Sequence, residues 1–442
     1  LTSKPYAFKA RPWELKINES IDLTDSTGSN IYVNFKETEV LRVLPKNNFE
    51  INESIISDKA RFSYDSIKNQ RLQKLFLKQS QETHFESSNW PHILKELDLI
   101  LSSNSNNKIT FLINEELDFK SLNFLKKIEN HFSNNINIRL VERSTSTINN
   151  FFIGWVNNKL ADLKNQIKYC FLISSNIKME SAILNAKIRN KVILETLNVV
   201  SLGQNFNSNF SLKFVNLNIN NVFKLFESKN YLSKSLIAFK FPLIVVGETL
   251  NDRFFGNFNI VSLIKKIIPT AIILDLKKSS NSSSIPFLNI NVLDKNTSKN
   301  SDVFVFLNVD DTVNVRKTIS EFHGKTIWFN THGSKVATKS DILIPTLSSF
   351  ESEHIHINFE EKAQKTLKTL PSVGESRDLN LILKALYSEE INFNSSKPFI
   401  FLNEIINNPE KFKNIKNIFL KHDSLNSNYL NYKNILVNHP LK

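Results

Sequence analysis

The chain has 442 residues, a formal net charge of +13, 41% hydrophobic residues and 22% charged residues. This apolar content can bury a core and excludes a disordered chain, and the length predicts roughly two to three domains. The single cysteine, Cys170, excludes intramolecular disulfides and four-cysteine zinc sites, and it argues against a self-contained iron–sulfur cluster. No apolar stretch approaches the roughly 20 residues that a membrane-spanning helix needs, so no span is predicted.

Residues 18–45 predict a small antiparallel β unit, because apolar and polar residues alternate on both sides of a turn at 27–30. From about residue 75 the pattern changes to short apolar runs separated by helical patterns. Such runs are typical of parallel strands that helices bury on both faces. The predicted strands span 109–113, 136–141, 169–174, 197–202, 243–247, 271–274, 303–307, 326–329 and 342–344.

These strands are more than one sheet comfortably holds, so the predicted fold class is α/β with two parallel-sheet lobes, preceded by the small β unit. We predict a β-rich subdomain at 1–70 and a first lobe formed by 71–125 with 236–380. A second lobe, inserted into the first, is predicted at 126–235. A helical and then irregular extension follows at 381–442.

The positive charge, taken alone, indicates a nucleic acid or an anionic surface as a partner. The lysines are scattered, however, and arginine is scarce, whereas specific nucleic-acid readers favour clustered arginines and interleaved aromatic residues. We therefore predict no nucleic-acid partner. A basic binding module remains an alternative, and it predicts salt-sensitive retention on heparin.

Two local features suggest a functional site, but neither has all the residues that the site would need. Gly324 and Lys325 are similar to the end of a phosphate-binding P-loop, but Ile319 stands where the loop needs its first glycine, and the segment leads into a strand. Cys170 lies in an apolar strand pattern that is typical of an inert, buried thiol. No Gly-x-Ser-x-Gly elbow is present, so no catalytic residue is predicted.

Two histidines, His354 and His356, would project from the same face of a strand. With Glu351, or with His332 from another loop, they could bind zinc, but a His-x-His pair alone is a weak signal. The ordinary alternative is a partly exposed strand that carries two polar imidazoles. We predict no metal site and leave open a small ion held by this pair.

The first residues carry the most specific signal in the chain. Residues 2–15 read TSKPYAFKARPWEL and are followed by ESID at 19–22 and GSNI at 28–31. This succession closely resembles the family of 75-kDa subunits of mitochondrial respiratory complex I, at the start of their second half, the molybdopterin-oxidoreductase-like domain. Further similar blocks occur in the same order at 52–72, 176–189 and 337–364. Together the blocks span residues 2 to about 390.

The departures from the wider superfamily concern its cofactors. In its molybdenum enzymes a cysteine that ligates a four-iron cluster occupies the place of Ser57. In the run that begins at Asn358, Glu361 replaces a glycine and Lys362 replaces an arginine. A bulky acid at Glu361 would oppose a dianionic pterin cofactor by sterics and by charge. The resemblance therefore implies a degenerate site with no cofactor in this chain, and it places the iron–sulfur clusters in a partner chain.

The function implied by the resemblance is that of a non-catalytic structural subunit of NADH:ubiquinone oxidoreductase. It would support the iron–sulfur module in the peripheral arm, on the matrix side of the mitochondrial inner membrane, next to other subunits of that arm. Its main partner would be the cysteine-rich first half of the 75-kDa-like subunit, expected as a separate chain or as a part removed from a longer product. A molybdopterin-dependent oxidoreductase subunit is the enzymatic alternative, and it predicts stoichiometric molybdenum or tungsten.

The expected interface with this partner lies in the first residues, where the two halves of the family's subunit meet. Aromatic residues favour interface cores, and the segment offers Tyr6, Phe8, Pro12 and Trp13. The alternative is that these side chains pack against the chain's own sheet.

Overall fold

The structure is a computed structural model of the 442-residue chain. It describes residues 6–78, 84–101, 107–133, 135–141, 167–203, 205–215, 242–247, 270–277, 279–281, 283–288, 290–293, 295–360 and 362–387, together with Ile264 and Ile268. The irregular part of the predicted C-terminal extension and Glu361 lie outside these residues.

The predicted small β unit is confirmed as a three-stranded antiparallel sheet. Its strands are β1 (Lys16–Ile21), β2 (Asn30–Lys36) and β3 (Glu39–Pro45), in that spatial order. Helix α1 (Asp58–Phe62) and a 3₁₀ turn (Ser63–Ile67) follow. Apolar residues of β2 and β3 pack into one core with Tyr64 and Leu370, whereas Ile17 on β1 is exposed. Alternation in the sequence of β2 therefore marks the face that this strand buries.

The larger sheet of the α/β body has eight strands. They are ordered β13-β7-β6-β14-β15-β16-β4-β5, and all neighbouring pairs are parallel except the two that involve β4. Their bounds are β4 Leu75–Lys78, β5 Phe85–Ser88, β6 Ile109–Ile113, β7 Ile136–Leu140, β13 Asn291–Val292, β14 Val303–Leu307, β15 Lys325–Asn330 and β16 Ile342–Pro345. Every residue of β6, β14 and β16 is buried, as expected of parallel strands covered on both faces.

Helices connect and flank these strands. They are α2 (Trp90–Leu101), α3 (Phe119–His131), α6 (Ser284–Phe287), α7 (Lys295–Lys299), α8 (Val313–Glu321) and α9 (Leu379–Tyr387), with a 3₁₀ turn at Ala337–Lys339. Asp118 begins α3 because its carboxylate accepts a hydrogen bond from the Ser121 backbone N–H, and Thr312 caps α8 through Val315 in the same way. Among the described residues, none of the helices has the length and apolar character required to cross a bilayer.

The second sheet has five parallel strands in the order β10-β9-β8-β11-β12. The strands are β8 (Tyr169–Ile173), β9 (Asn198–Leu202), β10 (Lys213–Val215), β11 (Leu243–Val246) and β12 (Ile272–Asp275), and helices α4 (Ile177–Glu180) and α5 (Ala182–Ile193) follow β8. Two sheets of mainly parallel strands and an antiparallel unit at the N-terminus confirm the predicted fold class.

The strand pairing distributes the chain between the sheets differently from the predicted lobe boundaries. Strand β7, predicted in the inserted lobe, pairs with β6 in the larger sheet. Strands β11 and β12, predicted in the first lobe, pair with β8 and with each other. Helix α9, predicted in the extension, packs on the body, where the Tyr387 hydroxyl donates to the Leu101 carbonyl at 3.4 Å. Short buried strands look alike in sequence, so their pattern does not reveal which sheet they join.

A small hairpin connects the three parts of the fold. It consists of β17 (Ile355–Ile357) and β18 (Ala363–Lys365), and we call residues 354–360 and 362–366 the junction hairpin. Its turn residue Asn358 donates from Nδ2 to the Thr27 carbonyl of the β unit at 3.0 Å, and Phe359 packs into the core of the five-stranded sheet. The junction hairpin thereby places the loop between β1 and β2 against the α/β body.

Candidate functional site

The cofactor positions that the resemblance singles out lie around the junction hairpin and α1. Ser57 is buried, and its hydroxyl accepts a hydrogen bond from the Ala60 backbone N–H at 3.0 Å. This is an N-cap contact, which satisfies one of the free amides at the start of α1. The Ser57 side chain therefore has a structural role in this chain.

Asn358 and Lys362 are likewise engaged by the chain itself. Asn358 is buried, and its Oδ1 accepts from the Lys362 backbone N–H at 2.8 Å. The Lys362 ammonium lies 3.3 Å from Glu360 and 3.6 Å from Glu50, a residue of the β unit. These positions hold the hairpin turn and join it to the β unit. Glu361 lies outside the described residues.

The loop at 22–29 packs tightly between the β unit and the rest of the fold. Gly28 has φ +64°, and a Cβ at this position would lie 2.6 Å from the Gln364 Oε1 atom and 3.3 Å from the Asn358 Cβ atom. Glycine is required here both for the backbone conformation and for the space. The Thr27 hydroxyl lies 3.0 Å from the Ser181 hydroxyl at the start of α5, so this loop also contacts the lobe of the five-stranded sheet.

The same loop buries two carboxylates, Asp22 and Asp25, which sequence reasoning missed. Burial, and then the negative charge of Asp25, raise the pKa of Asp22 to about 7, although Thr24 opposes the shift by donating to Asp22 Oδ1 from its backbone N–H and from its hydroxyl. Burial also raises the pKa of Asp25. The nearby Lys59 ammonium lowers both pKa values and donates to the Thr24 carbonyl at 2.6 Å.

The histidine pair lies close together at β17, in keeping with the spacing. The His354 and His356 ring centroids are 5.9 Å apart. The other proposed ligands have different partners, since Glu351 pairs with Arg71 at 2.7 Å and the His332 Nε2 atom lies 2.8 Å from the Ser66 carbonyl. Within the part of the chain that the structure describes, no three His, Cys, Asp or Glu side chains are grouped to hold a metal ion.

Cys170 and Gly324 also have structural surroundings. Cys170 is fully buried in β8, and desolvation raises the pKa of its thiol far above the ordinary value. Gly324 lies in the turn before β15, where a Cβ would approach the Asp302 carbonyl to 2.2 Å. A phosphate-binding loop instead opens a helix with its amides.

The four predicted interface residues differ in their exposure to solvent. Tyr6 is buried, its hydroxyl donates to the Ala10 carbonyl at 3.4 Å, and the Arg42 guanidinium lies 4.7 Å from its ring centroid. Phe8 is fully exposed in a left-handed conformation with φ 63°, Trp13 is 80% exposed, and Pro12 is exposed. Tyr6 thus anchors the segment, whereas the other three side chains face outward.

A solved structure shares the architecture of this chain. Acetylene hydratase from Pelobacter acetylenicus superposes with a TM-score of 0.51 at 10% identity, over 87% of this chain and 71% of that chain. The family follows from sequence: the molybdopterin oxidoreductase model matches residues 67–389, and the chain belongs to this family. Residues 15–65 match a second model, the NADH-ubiquinone oxidoreductase NDSU1/NuoG-like, 4Fe-4S domain.

Similar curated proteins confirm the resemblance to the 75-kDa subunits. The NADH-ubiquinone oxidoreductase 75 kDa subunit of Reclinomonas americana is 28% identical over 89% of this chain and 60% of its own length. A subunit of the NADH-quinone oxidoreductase of Rickettsia bellii is 32% identical over 87% of this chain and 56% of its own length. The mitochondrial iron-sulfur protein 1 of NADH dehydrogenase from Solanum tuberosum is 28% identical over 87% of this chain and 53% of its own length. The chain spans little more than half the length of these relatives.

The match over residues 15–65 corrects one prediction. We predicted that this chain carries no cofactor, and that prediction is wrong: the segment matches a 4Fe-4S domain, so an iron–sulfur cluster is expected in this chain. The prediction rested on the single thiol and on the replacements at Ser57, Glu361 and Lys362, whereas the match extends over the whole segment. The segment contains no cysteine, Cys170 lies in β8, and Ser57 caps α1. The residues present therefore do not fit the usual four-thiolate ligand set.

Proposed function

We propose that this chain is a subunit of NADH:quinone oxidoreductase and that its α/β body is a scaffold for the iron–sulfur module. The observation that carries the proposal is the alignment of nearly nine-tenths of the chain with subunits of that enzyme from Reclinomonas americana, Rickettsia bellii and Solanum tuberosum. The name of the Solanum tuberosum relative specifies the mitochondrion. The location that we propose for this chain is likewise mitochondrial, in the peripheral arm of the enzyme on the matrix side of the inner membrane.

The scaffold role is supported by the residues at the former cofactor positions. Ser57 caps a helix, Asn358 clamps the junction hairpin to the β unit, and Lys362 pairs with acids. None of these three side chains is free to meet a pterin. The same contacts bind the segment of the 4Fe-4S match to the α/β body, which is what a support for an electron-transfer module requires.

We further propose a docking surface for the cysteine-rich first half that the resemblance implies, which we place in the part of the relatives' length that this chain does not cover. The surface, which we call the N-terminal face, consists of Phe8, Pro12, Trp13 and Ile17. Phe8 and Trp13 present large aromatic surfaces to water, and Ile17 on β1, at the edge of its sheet, is 59% exposed. Aromatic side chains with this exposure are typical of interface cores.

Charge around the N-terminal face indicates the chemistry of the partner surface. Lys9, Arg11 and Lys16 are exposed beside it, and Glu14 is paired with Lys36 at 3.2 Å. The net local charge is positive, so the complementary surface of the cysteine-rich part is acidic. The Tyr6 anchor and the Glu14–Lys36 pair hold the segment in place before binding, which reduces the entropy lost on docking.

Native electrophoresis of a membrane extract tests both proposals. The wild-type chain is expected to migrate with NADH-oxidising activity and with a cysteine-rich iron–sulfur polypeptide. Truncating a central aromatic anchor costs at least about 2 kcal/mol, or roughly 30-fold in affinity, so the F8A/W13A double variant is expected to leave this band. V313A is the control, since Val313 is 79% exposed on α8. If the wild-type chain migrates apart from the NADH-oxidising activity, the proposal that it is a subunit of this enzyme is contradicted. If F8A/W13A stays in the active band, only the proposed docking surface is contradicted.

A molybdopterin-dependent oxidoreductase is the second candidate, and the family match over 67–389 favours it. This function requires a pterin bound with molybdenum or tungsten. Elemental analysis of the purified chain distinguishes the two: one molybdenum or tungsten atom per chain would support the oxidoreductase and overturn the scaffold role.

A further inference from the structure

The junction hairpin contacts all three parts of the fold through its backbone. The Ile355 N–H donates to the Asp118 carboxylate at the start of α3, and the Ile357 N–H donates to the Asn281 side chain after β12, each at 3.0 Å. The Phe359 N–H donates to the Ser26 carbonyl of the β unit, also at 3.0 Å. Loss of this hairpin would therefore loosen the β unit, the larger sheet and the smaller sheet from one another.

His356 lies between two of these anchors and is 1% exposed. Neither of its ring nitrogens has a hydrogen-bond partner among the residues that the structure describes. Buried polar groups are almost always hydrogen-bonded. A buried imidazole without a hydrogen-bond partner is less costly in its neutral form than in its protonated form, because the charged ring loses more solvation energy on burial.

The described surroundings of His356 offer little to stabilise a protonated ring. Two residues before it in the chain, His354 would repel a positive charge, and on β18 the opposing residue is the neutral Gln364. At the start of α3 the Asp118 carboxylate attracts a positive charge, but it already accepts bonds from Ser121 and Ile355. The segment 279–281 contributes only serine and asparagine. Burial and His354 lower the pKa of His356 to about 3.

We propose that the junction hairpin is a proton-sensitive latch, which stays docked while His356 is neutral and opens when this ring takes up a proton. In the open hairpin the ring titrates near ~6.5, the ordinary value for histidine. The closed state therefore keeps its full stability above about pH 6.5 and loses it as the pH falls below that value, by about tenfold per pH unit. From pH 7.5 to 5.0 the open population is expected to rise about 30-fold.

Amide hydrogen exchange of the full chain at pH 7.5, 6.0 and 5.0 tests the latch, after correction for intrinsic exchange rates. The expected result is an open population about 30-fold larger at pH 5.0 than at pH 7.5, seen as faster exchange of the Ile355, Ile357 and Phe359 amides, with little change in β6 and β14. The response should disappear in both H356Q and H356F, and it should persist in H92Q, because His92 is exposed. The proposal is overturned if the hairpin amides do not respond, if both sheets respond equally, or if both His356 variants keep the response.

Discussion

Replacing Arg71 with methionine is expected to lower the free energy of unfolding by about 3–5 kcal/mol. Arg71 and Glu351 form a two-pronged ion pair, with the Arg71 Nη1 and Nη2 atoms 2.9 and 2.7 Å from the Glu351 carboxylate oxygens. The side chains are 2% and 0% exposed. Arg71 also donates to the Thr331 and Ile67 carbonyls. Its removal would leave the Glu351 carboxylate buried with no opposite charge, and urea denaturation at neutral pH measures the loss.

An exposed ion pair provides the control for this prediction. Lys317 and Glu321 lie 3.9 Å apart on α8, with 73% and 67% of their side chains exposed, so K317M is expected to change stability by less than about 0.5 kcal/mol. The double variant R71M/E351L should recover part of the loss, because no unpaired charge is then buried. An R71M loss no larger than that of K317M would contradict this account of the pair.

The D22N variant is expected to be more stable than the wild type at pH 8, by about 2–4 kcal/mol. The folded chain raises the pKa of Asp22 to about 7 from its ordinary value of 3.8, because the carboxyl is buried beside Asp25. Its contribution to stability is therefore full below about pH 4 and is lost as the pH rises through 7. Asparagine carries no charge, and its side-chain oxygen can still accept the two bonds from Thr24.

The free energy of unfolding of D22N and of the wild type, measured from pH 4 to pH 8, shows whether the stability difference changes with pH in this direction. The difference between D22N and the wild type should be small near pH 4 and should grow as the pH rises. D65N is the matched control, because Asp65 is exposed in the same β unit, and this variant is expected to change stability at pH 8 by less than about 0.5 kcal/mol. Parallel curves for D22N and the wild type, or a less stable D22N at pH 8, would contradict the burial of an ionisable carboxyl at this position.

The small β unit and most strands could be predicted because their signal is local. Alternation in β2 marks a half-buried strand, and the largely apolar runs of β6 and β14 mark strands covered on both faces. Sheet membership is not local. Strands β7 and β11 have the same short apolar character, yet they join different sheets, since that choice depends on packing between segments far apart in the chain.

The sequence singled out residues of the candidate site but could not predict their contacts. Family resemblance singled out Ser57 and Asn358, whereas their use as a helix cap and a hairpin clamp required coordinates. The burial of Asp22 and the ion pair of Arg71 were missed, because a charged residue in a loop or turn usually faces water. Thiol counting failed for a different reason: it tests one ligand type, and the 4Fe-4S match over 15–65 rests on the whole segment.

Amine cross-linking of the intact respiratory complex, followed by mass spectrometry, tests the central claim most directly. Lys9 and Lys16 are exposed beside the N-terminal face, so they are expected to link to lysines in the cysteine-rich iron–sulfur part of the NADH-oxidising enzyme. Lys317 on α8 serves as the comparison. Links from Lys9 and Lys16 that reach only this chain's own body, or only proteins outside that enzyme, would contradict the proposal.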